Sequence, residues 1–322
     1  MNHSAKLWLS AFVVMLIVSA LLLLFNGLSA PFTDPIDQQI LLKLRLPLVL
    51  TACLVGSALA LSSANLQVLL HNPLADPGII GITSGASLCA AVFLLLGGQL
   101  APNIVQYVLP LCCFVGAILS TALIYGVARK LVNNHSAVIL AGIAISTIGG
   151  AIVAWLHFFS DAQSMRNLTF WLMGSLHQAD WPILMFAIPL LLPLIVYLAS
   201  QGRALNWYYF GHNSAQLAGL DVHRFHRKML LLCALSVGAA VSMAGSIAFV
   251  GLLVPHLLRN FFGYDNRFIL PASALLGACL LLWVELVSSW VIGISLPVSM
   301  LTATLGGPVF LYSIARMTRG AK

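Results

Sequence analysis

Apolar runs long enough to cross a bilayer follow one another along almost the whole sequence, with only short polar intervals between them. A bilayer core about 30 Å thick needs roughly 20 apolar residues in each helix. The chain is 61% hydrophobic and only 7% charged, which leaves too few charges to cover a surface facing water. The sequence therefore predicts an all-α polytopic membrane protein without a soluble domain.

About ten runs qualify as transmembrane helices. They are Leu7–Phe25, Leu46–Leu70, Ile79–Leu96, Ile104–Ala128, Ala137–Phe159, Pro182–Ser200, Met229–Ala244, Ala248–Phe262, Ile269–Ile292 and Pro297–Ile314. The first could be a signal peptide, but it is longer than a usual signal core and another span follows closely, so we interpret it as an uncleaved helix. The eighth is short and contains Pro255. We expect one transmembrane domain over residues 1–322, with spans 1–6 over about 7–200, a polar segment over 201–228 and spans 7–10 over about 229–314.

The basic residues are spread over the short loops and form no patch interleaved with aromatic residues, so the net charge of +7 does not indicate nucleic-acid binding. Ten spans with the N-terminus inside place all of the Lys and Arg residues except Lys43, Arg45 and Arg166 in the cytoplasm. The positive-inside rule then predicts that both termini and the polar segment are cytoplasmic. If the eighth span did not cross, the basic residues after residue 314 would lie outside and the bias would weaken.

The two halves of the sequence show a weak internal repeat at an offset of 182 residues. The informative matches are Arg45 with Arg227, Gly56 with Gly238 and Pro73 with Pro255. An odd number of spans separates the copies, so the repeat would be inverted in the membrane, and inverted repeats are typical of transporters. The interruptions HNPLADPG (residues 71–78) and LVPHLLR (residues 253–259) would then mark working parts of the pathway. The alternatives are an ordinary loop at the first and a packed kink at the second.

Groups that carry catalytic or metal chemistry are missing from the sequence. No P-loop, HExxH or GxSxG motif occurs, and the six cysteines lie inside apolar runs without ligand spacing. Glu285 is the only carboxylate well inside an apolar run, and we interpret it as a packing or near-interface acid. We therefore predict no catalytic residues, no metal site and no cofactor bound by this chain.

The polar segment, Gln201–Lys228, is the longest polar interval and the natural place for an external motor to act. Within it, Asn213 to Leu220 is predicted to form a short helix, with Asn213 or Ser214 as N-cap and Gly219 as C-cap. A short helix at the membrane surface could serve as a lever. The alternative is a plain interfacial loop helix.

Five stretches, in this order and spacing, resemble the permease subunits of type II ATP-binding-cassette (ABC) importers for iron-siderophores, haem and cobalamin. They are RLPLVLTACLVGSALALSSANLQVLLHNPLADPGIIGITSGAS, FWLMGSLHQADW, SIAFVGLLVPHLLR, ILPASALLGACLLL and LPVSMLTATLGGPVFLY. The resemblance covers about Leu42 to Met317. It implies the type II ABC importer permease fold, with ten spans per subunit and an inverted repeat.

The resemblance also implies roles for particular residues. The coupling site that meets the ATPase is assigned to Gly211, His212, Ala215, Gly219 and Leu220. Cytoplasmic gates are assigned to Asn72, Leu74, Asn134 and His135. Docking of the binding protein is assigned to Arg45, with Lys43 as a substitute for a second arginine.

Several positions depart from the family pattern. Leu48 stands where a second docking arginine is common, and His212 stands where an acidic residue often follows the coupling glycine. Ser295 and Ser299 replace a glutamate and a glycine that commonly flank the LPV motif. These changes would fit one half of a heterodimer as well as a homodimer.

The partners implied are two ABC ATPase subunits that bind the ATP and Mg²⁺, a periplasmic substrate-binding protein, a second permease subunit and membrane lipid. We predict a bacterial inner-membrane protein that works by alternating access. A ferric siderophore is the preferred substrate, with haem or cobalamin second. The rival classes are an ion-coupled secondary carrier, which would need more carboxylates in its spans than Glu285, and a membrane scaffold or enzyme.

Overall fold

The computed structural model describes residues 3–28, 30–78, 80–96, 102–130, 135–178, 180–292 and 296–320, and within these ranges the regular structure is helical. Fourteen α-helices are found there, and five-residue π-helical turns lie between α2 and α3 (Leu41–Arg45) and after α13 (Ser288–Ile292). The helices are α1 His3–Phe25, α2 Pro35–Ile40, α3 Leu46–Leu69, α4 Ile82–Leu96, α5 Pro102–Lys130, α6 His135–Phe158, α7 Ala162–Leu172, α8 Trp181–Ser200, α9 Gly202–Tyr209, α10 His212–Leu217, α11 Val222–Ala244, α12 Val250–Phe262, α13 Asn266–Val287 and α14 Val298–Gly320.

The predicted spans are confirmed as helices in the described part of the chain. Seven helical stretches are long and apolar enough to cross a membrane by themselves. Three shorter apolar helices, Ile82–Leu95, Val250–Phe262 and Val298–Leu311, correspond to predicted spans three, eight and ten. The eighth span is a single helix that contains Pro255 in its interior.

The second and seventh spans begin clearly earlier than the sequence predicts, and local capping explains both starts. The second span begins at Pro35, because Asp34 accepts a hydrogen bond from the Ile36 amide and Pro35 occupies the first turn. The seventh span begins at Val222, because the Asp221 side chain accepts from the Arg224 amide. Helices α7 and α9 were not predicted. Both are too short and too polar to register as spans.

Helix α3 lies at the centre of the bundle, and glycine lets it approach α13 closely. A Cβ placed on Gly56 would collide with the Gly277 carbonyl, and one placed on Gly277 would collide with the Gly56 carbonyl. The two backbones therefore touch directly, which is the usual way that apolar helices associate where lipid removes the hydrophobic driving force. Both helices are largely buried along their length.

The two glycines paired by the internal repeat occupy similar crossings. Gly56 brings α3 against α13, and Gly238 brings α11 against α5, where a Cβ would lie 2.8 Å from that of Ala117. Helices α3 and α11 carry the second and seventh spans, whereas α5 and α13 carry the fourth and ninth. The contact between spans two and nine in the first crossing therefore corresponds to the contact between spans seven and four in the second, as the repeat predicts.

Replacing Gly56 with leucine should lower the unfolding temperature strongly, because the α3–α13 contact has no room for a side chain. Overpacking costs about 1–3 kcal/mol where neighbouring side chains can adjust. At this site the neighbour is the Gly277 backbone, which cannot move aside in the same way. Gly150→Leu is the matched control, since a Cβ there meets nothing within 4 Å. Thermal unfolding of the purified protein in one detergent would measure both. Equal unfolding temperatures for the two variants would contradict this packing.

Candidate functional site

The polar segment folds into two short helices, α9 and α10, followed by the start of α11. Helix α9 is fixed to the first turn of α13: a Cβ on Gly202 would lie 2.6 Å from the Arg267 Cα. The Asn206 amide donates to Asp265 Oδ1 at 2.7 Å, and the Asn266 backbone N–H donates to Asn206 Oδ1 at 2.8 Å. Hydrogen bonding from Arg267 lowers the pKa of Asp265 to about 2, so this cap is ionised at neutral pH. Helix α9 is thereby anchored to the bundle.

Helix α10 is bounded by two glycines whose backbones L-residues rarely adopt. Gly211 is the N-cap, with φ of 103° and ψ of 162°, a region that is essentially restricted to glycine. Gly219 has φ of 84°, and the amides of Gly219 and Leu220 donate to the carbonyls of Gln216 and Ala215 at 2.9 and 3.0 Å. This is a Schellman ending.

The predicted short helix is therefore present, with a correction at each end. It covers His212–Leu217 and is capped by Gly211, so the prediction of Asn213 or Ser214 as N-cap was wrong. Neither side chain was needed, because a glycine in an extended, positive-φ conformation turns the chain into the helix. The helix ends at Leu217 with Ala218 as its C-cap, so Gly219, which was predicted as the C-cap, lies one residue further on, in the positive-φ position that glycine favours.

The predicted coupling residues lie together around α10. Ala215 is fully buried and faces the bundle, whereas Leu217 is 91% exposed and Phe210 is 76% exposed. Gly211 and Gly219 set the two ends of the helix, and the amide of Leu220 closes the Schellman turn. A rigid short helix that hides its small residue and exposes large apolar ones has the form of a contact surface.

The predicted gate residues are only partly described. Asn72 and Leu74 lie in the proline loop (His71–Gly78), where the Leu74 amide donates to Asn72 Oδ1 at 2.9 Å. Leu74 is exposed. Asn134 lies outside the described residues, and His135 begins α6 without a described side chain. The structure therefore locates one of the two predicted gate segments.

The predicted docking residues lie at the opposite end of α3 from the proline loop. Lys43 and Arg45 belong to the π-helical turn that precedes α3, and α3 has 24 residues, or about 36 Å of helix. This separation matches a bilayer core. The docking and coupling residues thus occupy opposite ends of the bundle, as their predicted roles require.

An ion pair that the sequence did not predict lies at the Arg45 end. His177 Nε2 is 2.9 Å from Glu285 Oε1, and the glutamate is buried. The hydrogen bond to Glu285 raises the pKa of His177 above its ordinary value, while burial and Arg45 oppose the shift. Glu285, which we interpreted as a packing acid, therefore has a specific partner from the loop after α7. The residues are 108 positions apart in sequence, so no spacing connects them.

A second group that the sequence missed joins the polar segment to the proline loop. The hydroxyl of the buried Tyr208 lies 2.8 Å from His226 Nδ1 and 3.2 Å from His212 Nε2. The ring centroid of His71 lies 5.5 Å from that of Tyr208 and 6.4 Å from that of His212. The i, i+4 spacing of Tyr208 and His212 was visible in the sequence, but their meeting with His71 and His226 depends on the fold.

Of the two serines that depart from the family pattern near the last span, Ser299 has a clear structural place. Its hydroxyl donates to the Ser246 carbonyl at 2.7 Å and accepts from the Ala248 amide at 3.2 Å. It thus ties the start of α14 to the linker between α11 and α12. Ser295 lies outside the described residues.

The described helices include seven that are long and apolar enough to cross a membrane, and the predicted docking and coupling residues lie at opposite ends of the bundle, an arrangement that fits the membrane-spanning subunit of a transporter. The chain belongs to the FecCD transport family, whose model matches residues 6–316. It is therefore an ABC importer permease, a multi-pass membrane subunit without catalytic activity, and ATP hydrolysis belongs to a separate subunit.

Similar proteins cover nearly the whole chain. The hemin transport system permease HmuU of Yersinia pestis is 41% identical over 93% of this chain and 90% of its own. The vitamin B12 import permease BtuC of Vibrio vulnificus is 38% identical over 98% of this chain and 96% of its own. A solved metal-chelate type ABC transporter in an inward-facing conformation has a TM-score of 0.88, with 31% identity, and covers 97% of this chain and 99% of that one.

Replacing Gly211 with alanine should weaken the binding of the ATPase, because the new residue cannot keep φ near 103° without strain. Such strain costs about 1–3 kcal/mol, or up to about a hundredfold in affinity if α10 must leave its position to relieve it. Gly150→Ala adds the same methyl group in open space. The ratio of ATPase to permease retained on an affinity-tagged permease would measure the effect. Equal ratios for both variants would argue against α10 as the contact.

Proposed function

We propose that this chain is the permease of an importer that carries a metal tetrapyrrole, of the haem and cobalamin class, from a periplasmic binding protein into the cytoplasm. The observation that carries this proposal is the similarity to a hemin permease at 41% identity and to a vitamin B12 permease at 38%, each over more than nine-tenths of this chain. A ferric siderophore, which the sequence analysis preferred, is the second candidate. The resemblance to a metal-chelate transporter supports it.

Three kinds of contact make up the working importer in this proposal. Two ATPase subunits, which bind the ATP and Mg²⁺, meet the exposed face of α10 on each of two permease subunits. The binding protein docks at the other end, where Arg45 and Lys43 offer positive charge to acidic side chains. Both termini then lie in the cytoplasm. The second permease subunit is a copy or a close relative of this chain, and the transport pathway runs between the two permease subunits.

Alternating access follows from this arrangement. ATP-driven closure of the ATPase pair displaces α10, and the proline loop with Asn72 and Leu74, together with Asn134 and His135, opens or closes the cytoplasmic end of the pathway. The roughly 36 Å length of α3 separates the docking residues from the gate. No protein carboxylate is needed to bind a coupling ion, because ATP supplies the energy.

Proteoliposomes that contain the permease, its ATPase and its binding protein should take up hemin or cobalamin only when ATP is present on the ATPase side. Uptake should survive ionophores that abolish proton and sodium gradients, and it should stop when the binding protein is omitted. Radiolabelled or absorbing substrate retained on a filter measures it. Parallel assays use hemin, cyanocobalamin and a ferric siderophore.

The outcomes separate the proposals from one another. Uptake driven by an ion gradient without ATPase subunits would contradict the transporter class. ATP-dependent uptake of the ferric siderophore alone would keep the class and overturn the tetrapyrrole. Uptake of both tetrapyrroles at comparable rates would support a pathway selective for planar macrocycles.

A further inference from the structure

One buried hydroxyl group connects three helices of the polar segment. Tyr208, near the end of α9, is fully buried. Its hydroxyl lies 3.2 Å from Nε2 of His212, the first residue of α10, and 2.8 Å from Nδ1 of His226, in the first two turns of α11. The Tyr208 ring also stacks on the His226 ring, with centroids 6.0 Å apart. Any displacement of α10 therefore acts on this hydroxyl.

The chemistry of the phenol group limits the hydrogen bonds that Tyr208 can form with its two histidine neighbours. A tyrosine hydroxyl has one proton to donate, and its oxygen can accept. Between two imidazoles it can donate its proton to one ring nitrogen and accept an N–H from the other, an arrangement in which each neutral histidine has a single tautomer. A buried polar group left without its partner is costly. Moving His212 away would thus break a bond that the buried hydroxyl cannot replace with water.

The same tyrosine contacts the proline loop on its other side. The His71 ring hydrogen-bonds to the backbone of Tyr208 and lies near the His212 ring. His71 has a positive φ of 49°, which is uncommon for a residue with a side chain, so the contact holds the loop in a particular conformation. Burial and the neighbouring His212 lower the pKa of His71. His71 is therefore neutral at neutral pH and does not repel its neighbours.

The two neighbours of this cluster differ in how far they are fixed: α9 is held by α13, whereas the proline loop lies beside a cavity. Helix α9 is fixed to α13 by Gly202 and by the hydrogen bonds of Asn206. The proline loop, in contrast, borders a cavity of about 450 Å³ that is lined by His71, Asn72 and Pro73 among others. A push on α10 therefore meets a fixed α9, and the loop has space into which it can move.

We propose that Tyr208 is a positioning residue of the transport cycle, which links the coupling helix α10 to the gate segment through His212, His226 and His71. The proposal rests on the proposed function, since it assumes that an ATPase acts on α10 and that Asn72 and Leu74 line a gate. The linkage also gives a role to His212, which stands where an acidic residue is common in the family pattern. Its partner is the Tyr208 hydroxyl.

The test is the number of substrate molecules imported per ATP hydrolysed in proteoliposomes that hold the complete complex. Tyr208→Phe keeps the ring and its stacking but removes the oxygen, and the ratio should fall by about tenfold, the effect of losing one or two hydrogen bonds. Tyr107→Phe removes a hydroxyl from an exposed tyrosine on α5, outside the polar segment and outside the cavity beside the proline loop, and should leave the ratio unchanged. A merely structural role would reduce the amount of complex without changing the ratio.

A double-mutant cycle with His226→Ala then tests the connection itself. If the two side chains act through one hydrogen bond, Tyr208→Phe with His226→Ala should be no worse than the more severe single variant. Effects on the ratio that multiply would overturn the linkage, as would an unchanged ratio in Tyr208→Phe. If Tyr208→Phe does not accumulate, His226→Ala alone must show the reduced ratio. A wild-type complex without ATP-dependent import would instead refute the proposed function, so the two failures are distinguishable.

Discussion

The direct backbone contact between α3 and α13 is the constraint on which the rest of the structure depends. Within lipid, burying apolar side chains gains little, so helices associate by close packing. Gly56 and Gly277 allow the two backbones to touch where no other residue would fit. This contact fixes α3 at the centre, and α3 in turn is preceded by the predicted docking residues at one end and followed by the proline loop at the other. A single rigid helix thus sets the distance between the two ends.

The packed centre of the bundle also determines where the polar segment lies. Helix α9 is fastened to the first turn of α13, the same helix that packs on α3, so the polar segment inherits its position from the core. Helix α10 is held at its ends by glycine conformations and exposes Leu217 and Phe210 outward. Helix α10 therefore has a fixed base and an exposed apolar face. In the proposed function this face receives the movement of the separate ATPase subunit.

The sequence predicted features that follow from local composition and missed those that depend on distant residues meeting. Hydrophobicity located the spans, and Gly219 located the end of α10, because both signals are local. The start of the second span was missed because Asp34, Asp37 and the glutamines beside it break the apolar run, although a capped helix tolerates them. Helix α9 was missed because eight mixed residues show no clear period.

Two groups of polar contacts could not be found from spacing at all. His177 meets Glu285, and Tyr208 meets His71 and His226, only because the bundle brings separate loops together. No spacing in the sequence connects the members of these pairs. The family resemblance supplied the predicted coupling and docking residues. It could not supply Tyr208, because His212 departs from the family pattern.

The central claim is that the exposed face of α10 receives the movement of an ATPase, and site-specific photocrosslinking in native membranes tests it most directly. Leu217 is replaced by the photoreactive residue benzoylphenylalanine, and Phe186, exposed on α8, is replaced in the same way as the control. The account predicts that position 217 crosslinks to the ATPase subunit with a yield that changes when ATP is added, whereas position 186 gives no such product. Absence of the ATPase product at position 217, or crosslinking of that position to the binding protein, would contradict it.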